Sequence, residues 1–191
     1  MTKPEARAET DPWRVPVVVD RIPETGLHRE IEASAREREA MAELAGLREI
    51  LSARASFDVT PRSGGRVQVA GRVQARVGQT CVVTLDPIES EIDEDIDLTF
   101  APEAEARRLA DLIAEGQDSE TADESEVPDP PEAIVGGIID LGRLATDALF
   151  LGIYPYPRKP GAVFENQLAA RDPEDHPFAA LKALQDEKKR S

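Results

Sequence analysis

The chain of 191 residues has little of what most protein chemistry needs: one cysteine, two histidines, one tryptophan and 4% aromatic residues. A single thiol, Cys81, excludes an internal disulfide and agrees with a reducing compartment. His28 and His176 lie far from it in sequence with no local signature, so a Cys and His dyad has no support. Cys81, set in the β-branched run Thr80 to Leu85, reads instead as a small core residue. The glycine patterns of phosphate-binding loops and dinucleotide folds are missing, as is a nucleophile elbow, and nucleophilic and nucleotide chemistry lose their usual supports. No apolar run approaches the roughly 18 residues of a transmembrane helix. Glu5, Glu9, Asp11 and Pro12 stand where an export signal would need bases and apolar residues, which points to the cytoplasm.

Positive charge is also scarce. Lys and Arg number 23 against 38 Asp and Glu, a formal net charge of −15. The excess is concentrated: from Asp86 to Glu132 there are 18 acids and two bases, Arg107 and Arg108, a net of −16, so the rest of the chain is close to neutral. Such a segment repels phosphate backbones and attracts cationic surfaces.

What is there begins with 40% apolar residues, enough for one core, and the chain reads as a single domain over residues 1–191. Val15, Val17 and Val19 alternate around Pro16, the pattern of a short edge strand. Leu27, Arg29, Ile31 and Ala33 alternate next. Ser34 and Glu37 form a capping-box pair at the head of a helix with Ala40, Met41 and Leu44 on one face, ending near Gly46. Leu51, Ala53, Ala55, Phe57 and Val59 then mark one face of a strand; Val67, Val69, Val73, Ala75 and Val77 mark its hairpin partner after a Pro61 to Gly65 turn. Gly71 interrupts that strand as a bulge or a close approach. Ile88, Ile92, Ile96, Leu98 and Phe100 share a face of a third long strand.

Beyond it, residues 103–131 read as an acidic insertion: a polar helix over Glu105 to Glu115, then a flexible linker from Gly116 to Pro131 with almost nothing apolar to bury. Asp140 suits the N-cap of a helix carrying Leu141, Leu144, Ala145, Ala148 and Leu149, and a last helix is expected from Pro177. The predicted fold is α+β, an antiparallel meander free to curl towards a barrel, with a helix before it and one or two after.

Glu89, Glu91, Asp93, Asp95 and Asp97 recur at every second position, about 7 Å apart on one face of a strand. Asp93, Asp95 and Asp97 also imitate the start of a calcium loop, but Leu98 replaces its glycine and Ala104 its closing glutamate. The row is either a solvated face or a docking strip for a basic partner. Arg66, Arg72 and Arg76 lie on the polar face of the preceding strand. They suit either RNA phosphates or cross-strand pairing with the acids; no aromatic side chains interleave them as a base-stacking surface would require.

In order and spacing, Gly71 to Val77 (GRVQARV), Cys81 to Ile88 (CVVTLDPI), Ile138 to Leu141 (IIDL), Leu151 to Pro157 (LGIYPYP) and His176 to Leu184 (HPFAALKAL) resemble the bacterial YceD family of large ribosomal RNA subunit accumulation proteins. The resemblance implies a non-enzymatic role in making or preserving large-subunit ribosomal RNA. Many family members carry C-x-x-C in the central motif and further cysteines after the proline-rich one, compatible with zinc. Here Thr84 takes the second position and Arg158 to Gly161 contains no cysteine, so neither a metal nor a cofactor is carried over.

The expected partner is a basic ribosomal protein or a large-subunit precursor, held through Glu89, Glu91, Asp93, Asp95 and Asp97. Direct RNA contact through Arg66, Arg72 and Arg76 is the alternative in the same process. The rival classes are a hydrolase using paired carboxylates and a purely structural acidic scaffold.

Overall fold

The computed structural model describes residues 11–117 and 129–163. In chain order the elements are β1 (Pro16–Val18), β2 (Leu27–Glu32), α1 (Ala35–Ala45), β3 (Glu49–Pro61), β4 (Val67–Thr80), β5 (Pro87–Pro102), α2 (Glu103–Gln117), β6 (Glu132–Ile134), β7 (Ile138–Asp140) and α3 (Leu141–Leu151). The middle of the expected linker and the helix expected from Pro177 lie outside the described residues.

Period-two alternation builds the centre. β3, β4 and β5 form a long antiparallel meander within a five-stranded sheet of order β2-β3-β4-β5-β6, and β6 joins β5 in parallel. The fold is α+β, and the sheet stays open rather than closing into a barrel. β4 is paired along its whole length, from Val67 opposite Phe100 to Thr80 opposite Pro87. Its alternate valines, Val67, Val69, Val73 and Val77, are buried on one face with Phe57, Val59, Ile92 and Ile96. α1, α3 and the β1-β7 ribbon contribute Met41, Leu141, Ala145, Leu149, Val17, Ile139 and the preceding Trp13 to the same core. Among the described residues all of the apolar cover therefore sits on one side of the sheet, and the other side carries no covering element.

Local chemistry sets the ends. Ser34 and Glu37 make the reciprocal capping box of α1, and Gly46 closes that helix in the left-handed region at φ 65. Asp140 caps α3 by accepting from the Gly142 and Arg143 amides at 3.1 and 3.3 Å. Gly136 and Gly137, both at positive φ, turn β6 into β7. α2 supplies the polar helix expected over Glu105 to Glu115 and begins directly after β5.

Two local expectations fail for identifiable reasons. Leu51 is exposed because the β3-β4 register shifts between Ile50 and Ser52; this bulge buries Ile50 opposite Val77 and turns Leu51 outward. Leu44 is exposed as well: α1 docks through Met41 and Ala42, and through Arg38, which donates to the Ala33 and Ile50 carbonyls at 2.7 and 3.2 Å.

Gly71 is the close approach. A Cβ there would lie 2.5 Å from the Phe57 ring and 2.6 Å from the Ser56 carbonyl oxygen. Gly71→Ala should therefore destabilise the fold by about 2 kcal/mol, as overpacking of a filled core does. Urea denaturation measures this, and an unchanged midpoint would contradict it.

Candidate functional site

The solvent face of the sheet is made of transverse rows, because residues directly opposite in antiparallel strands share a face. One row runs Glu30, Ser56, Arg72, Asp95; the next runs Glu32, Arg54, Gln74, Asp93; another runs His28, Asp58, Ala70, Asp97. Glu91 faces Arg76. All five carboxylates of the row Glu89, Glu91, Asp93, Asp95 and Asp97 are exposed on this one face.

The structure brings the acids and two of the arginines together. Arg72 donates to Asp95 at 2.7 and 3.2 Å and lies 3.5 Å from Asp93. That hydrogen bond, more than simple attraction, holds the Asp95 carboxyl below the ordinary carboxylate range; together with attraction to Asp93 and Asp95 it raises Arg72. Arg76 bonds Glu89. Arg66 is set apart: it pairs with Glu105 on α2 rather than with the strand. Gln68 donates to Asp97 at 3.0 Å and Gln74 to Asp93 at 3.3 Å, neutral partners that leave the negative charge in place. Among the described residues no cation pairs with Glu91 or Asp97. Each of these pairs is exposed and contributes little to stability on its own.

At the β2 side the face sinks into an open groove of about 470 Å³ lined by Glu30, Glu32, Arg54, Arg72 and Gln74. Both glutamates are exposed. The hydrolase reading asks for a carboxylate pair withdrawn from water, and this groove holds its carboxylates in water.

A second constellation lies at the other end of the sheet. The run Cys81 to Asp86 is a turn rather than a strand: the Cys81 amide donates to the Asp86 carbonyl and the Leu85 amide to the Cys81 carbonyl, both at 2.9 Å, with Leu85 at φ 61. Against it lie the LGIYPYP motif and the residues just after it. Val82 donates to the Pro157 carbonyl at 2.9 Å, Gln79 to the Tyr154 carbonyl at 3.0 Å, and Lys159 pairs with Asp86 at 3.1 Å. The buried Cys81 sulfur accepts the Lys159 amide at 3.3 Å and the Thr84 amide at 3.5 Å.

This clamp joins residues more than 70 positions apart, and it places Thr84 and Lys159 at one thiol. Among the described residues no three histidine, cysteine or acidic side chains gather to hold a metal. One sulfur with backbone donors aimed at it does not fit a four-ligand ion, and the hydrogen bonds and the Lys159 to Asp86 ion pair close the turn instead. The exposed Val82, Leu85, Tyr154 and Tyr156 surround the clamp. Sequence reasoning did not assign this cluster a site; the signal was the pair of motifs that turn out to touch.

With this geometry in view, a family model described as large ribosomal RNA subunit accumulation protein YceD matches residues 69–185. The chain belongs to the YceD family. The match takes in β4, the acidic strand, the clamp and α3, and leaves β1, β2, α1 and β3 outside it. No curated protein and no solved structure matches the chain.

The clamp carries a pH signature. The Lys159 amide first, and then the Thr84 side chain and amide, stabilise the thiolate and outweigh burial, bringing the Cys81 thiol down from 9.0 to about 6. A depressed thiol pKa contributes stability that is fully present above the unfolded value and is lost as pH falls through about 6. His28 acts oppositely: raised by its hydrogen bond to Asp58, it loses its contribution as pH rises. Because both chains keep His28, the stability difference between wild type and Cys81→Ala should isolate the thiol and widen from about pH 6 to 9. Parallel curves in urea titrations across that range would contradict a thiolate clamp.

Proposed function

We propose that the chain is a non-enzymatic binding factor that supports accumulation of large-subunit ribosomal RNA by holding a basic ribosomal protein or assembly intermediate in the cytoplasm. Family membership supports the process, since the family is described by that accumulation. The partner chemistry comes from the outer face. There the carboxylates of Glu89, Glu91, Asp93, Asp95 and Asp97 exceed the arginines in reach of them, and Glu91 and Asp97 face water with no cation paired to them among the described residues. A face of that sign draws and orients a cationic protein surface and repels RNA phosphates.

The single observation that carries the choice of a protein over naked RNA is that Arg66, Arg72 and Arg76 are each already bound to a carboxylate. An RNA phosphate would have to displace Glu105, Asp95 or Glu89 and then sit beside the remaining acids. The exposed, open groove supports a binding role over hydrolysis, and no helix among the described residues is long and apolar enough to cross a membrane.

Cells lacking the protein should hold less large-subunit than small-subunit ribosomal RNA, and a copy with Asp93, Asp95 and Asp97 changed to Asn should fold normally but rescue poorly. A second copy with Arg72→Gln and Arg76→Gln should rescue as well as wild type, because it leaves the acids in place. Rescue by the aspartate variant and failure of the arginine variant would favour RNA contact; a normal RNA ratio in the null strain would overturn the ribosomal role.

A further inference from the structure

β5 is the longest strand of the sheet, yet among the described residues only one of its edges is used along its length. β4 pairs with it from Pro87 to Phe100, whereas β6 takes up only Phe100 to Pro102 on the other side. The free edge from Pro87 to Thr99 is roughly 40 Å of strand, with the peptide groups of alternate residues turned outward. Among the described residues no hydrogen bond reaches those groups. β3 shows the contrast. Where β2 stops short of it, the Ala33 amide donates to the Ala53 carbonyl at 3.0 Å and Arg38 to the Ile50 carbonyl at 3.2 Å.

The free edge is not neutral. Glu89, Glu91, Asp93, Asp95 and Asp97 stand along it on the solvent face, and Glu94 is exposed on the opposite face between the buried Ile92 and Ile96. Charges on a bare edge discourage pairing with apolar or acidic strands, including a second copy of this one. They also define what can pair. Side chains directly opposite on adjacent strands have Cβ atoms about 5 Å apart, within reach of a lysine ammonium or a guanidinium. A strand with cations at every second position would set each of them beside one carboxylate of the row.

We propose that the open edge of β5 between Pro87 and Thr99 receives an extended, basic segment of the partner protein as an added strand, with its alternate Lys or Arg side chains lying along the acid row. This rests on the proposed binding of a basic partner and adds how that partner is held. Main-chain hydrogen bonds supply the grip, and the carboxylate spacing selects the cation pattern. Arg72 and Arg76 hold Asp95 and Glu89 from the β4 side, so the incoming cations approach from the open side.

The test uses the full chain and two synthetic peptides of alternating lysine and threonine, about as long as the free edge. The second peptide is methylated on alternate backbone nitrogens, which keeps its charge and removes its ability to add to a sheet. Strand addition predicts that methylation weakens binding by about tenfold or more. It also predicts that the outward-turned alternate amides between Pro87 and Thr99, those not bonded to β4 and so fast to exchange in the free chain, become protected by the unmodified peptide alone. Equal binding of the two peptides would overturn strand addition while leaving carboxylate docking intact. Failure of both to bind would also overturn it, and the aspartate rescue experiment would still decide the parent reading. Protection of those outward-turned amides in the free chain would show that the chain's own residues occupy the edge, and would overturn it too.

Discussion

The pairing of β4, with β5 along its whole length and with β3 from Val67 to Gly78, is the constraint on which the rest depends. Because side chains alternate across a strand, one register fixes every inward valine and every outward arginine or glutamine at once. A slip of one residue would bury Arg72 and Arg76 and expose Val73 and Val77. The valine side of that alternation, packed under α1, α3 and the β1-β7 ribbon, therefore also determines the outer face. The acid row is opposite the arginines because the core requires it.

Much of this was legible in the sequence. The capping box at Ser34 and Glu37, the Asp140 cap, the close approach at Gly71 and the three long strands all rest on local rules, and local rules are what a sequence displays. The places it misled are where tertiary structure overrides period. One extra residue at Leu51 reverses the facing of a strand end, and no pattern in Ile50 to Ser52 announces it. The β-branched run from Cys81 reads as strand by composition, but hydrogen bonds from a segment more than 70 residues away hold it as a turn. The parallel strand β6 is three residues long, too short for any periodicity to show.

The candidate site was legible in part. Both sets of residues were visible as alternating charges, and the structure places Arg72 and Arg76 with the acids on one face while sending Arg66 to α2. The sequence leaves the acids as a solvated face or a docking strip, and the arginines as RNA contacts or cross-strand partners; cross-strand pairing of the arginines and docking by the acids do not exclude each other. The geometry allows both at once, since two arginines engage three carboxylates and leave Glu91 and Asp97 without a cation among the described residues. The clamp around Cys81 carries a further lesson. The family resemblance implies cysteines at the second position of the central motif and after the proline-rich one; this chain has Thr84 and a cysteine-free Arg158 to Gly161 there, yet the two segments still meet, joined by backbone donors to a single sulfur and by Lys159 on Asp86.

The central claim is that a basic protein, and not RNA, is what the acidic face holds. The direct measurement is capture from nuclease-treated cell extract on the immobilised full chain, with the bound proteins identified and compared with those on the variant carrying Asn at positions 93, 95 and 97. The account predicts that basic large-subunit ribosomal proteins are retained after nuclease treatment and lost with the variant. Retention that vanishes with nuclease, or that is equal for both chains, would contradict it.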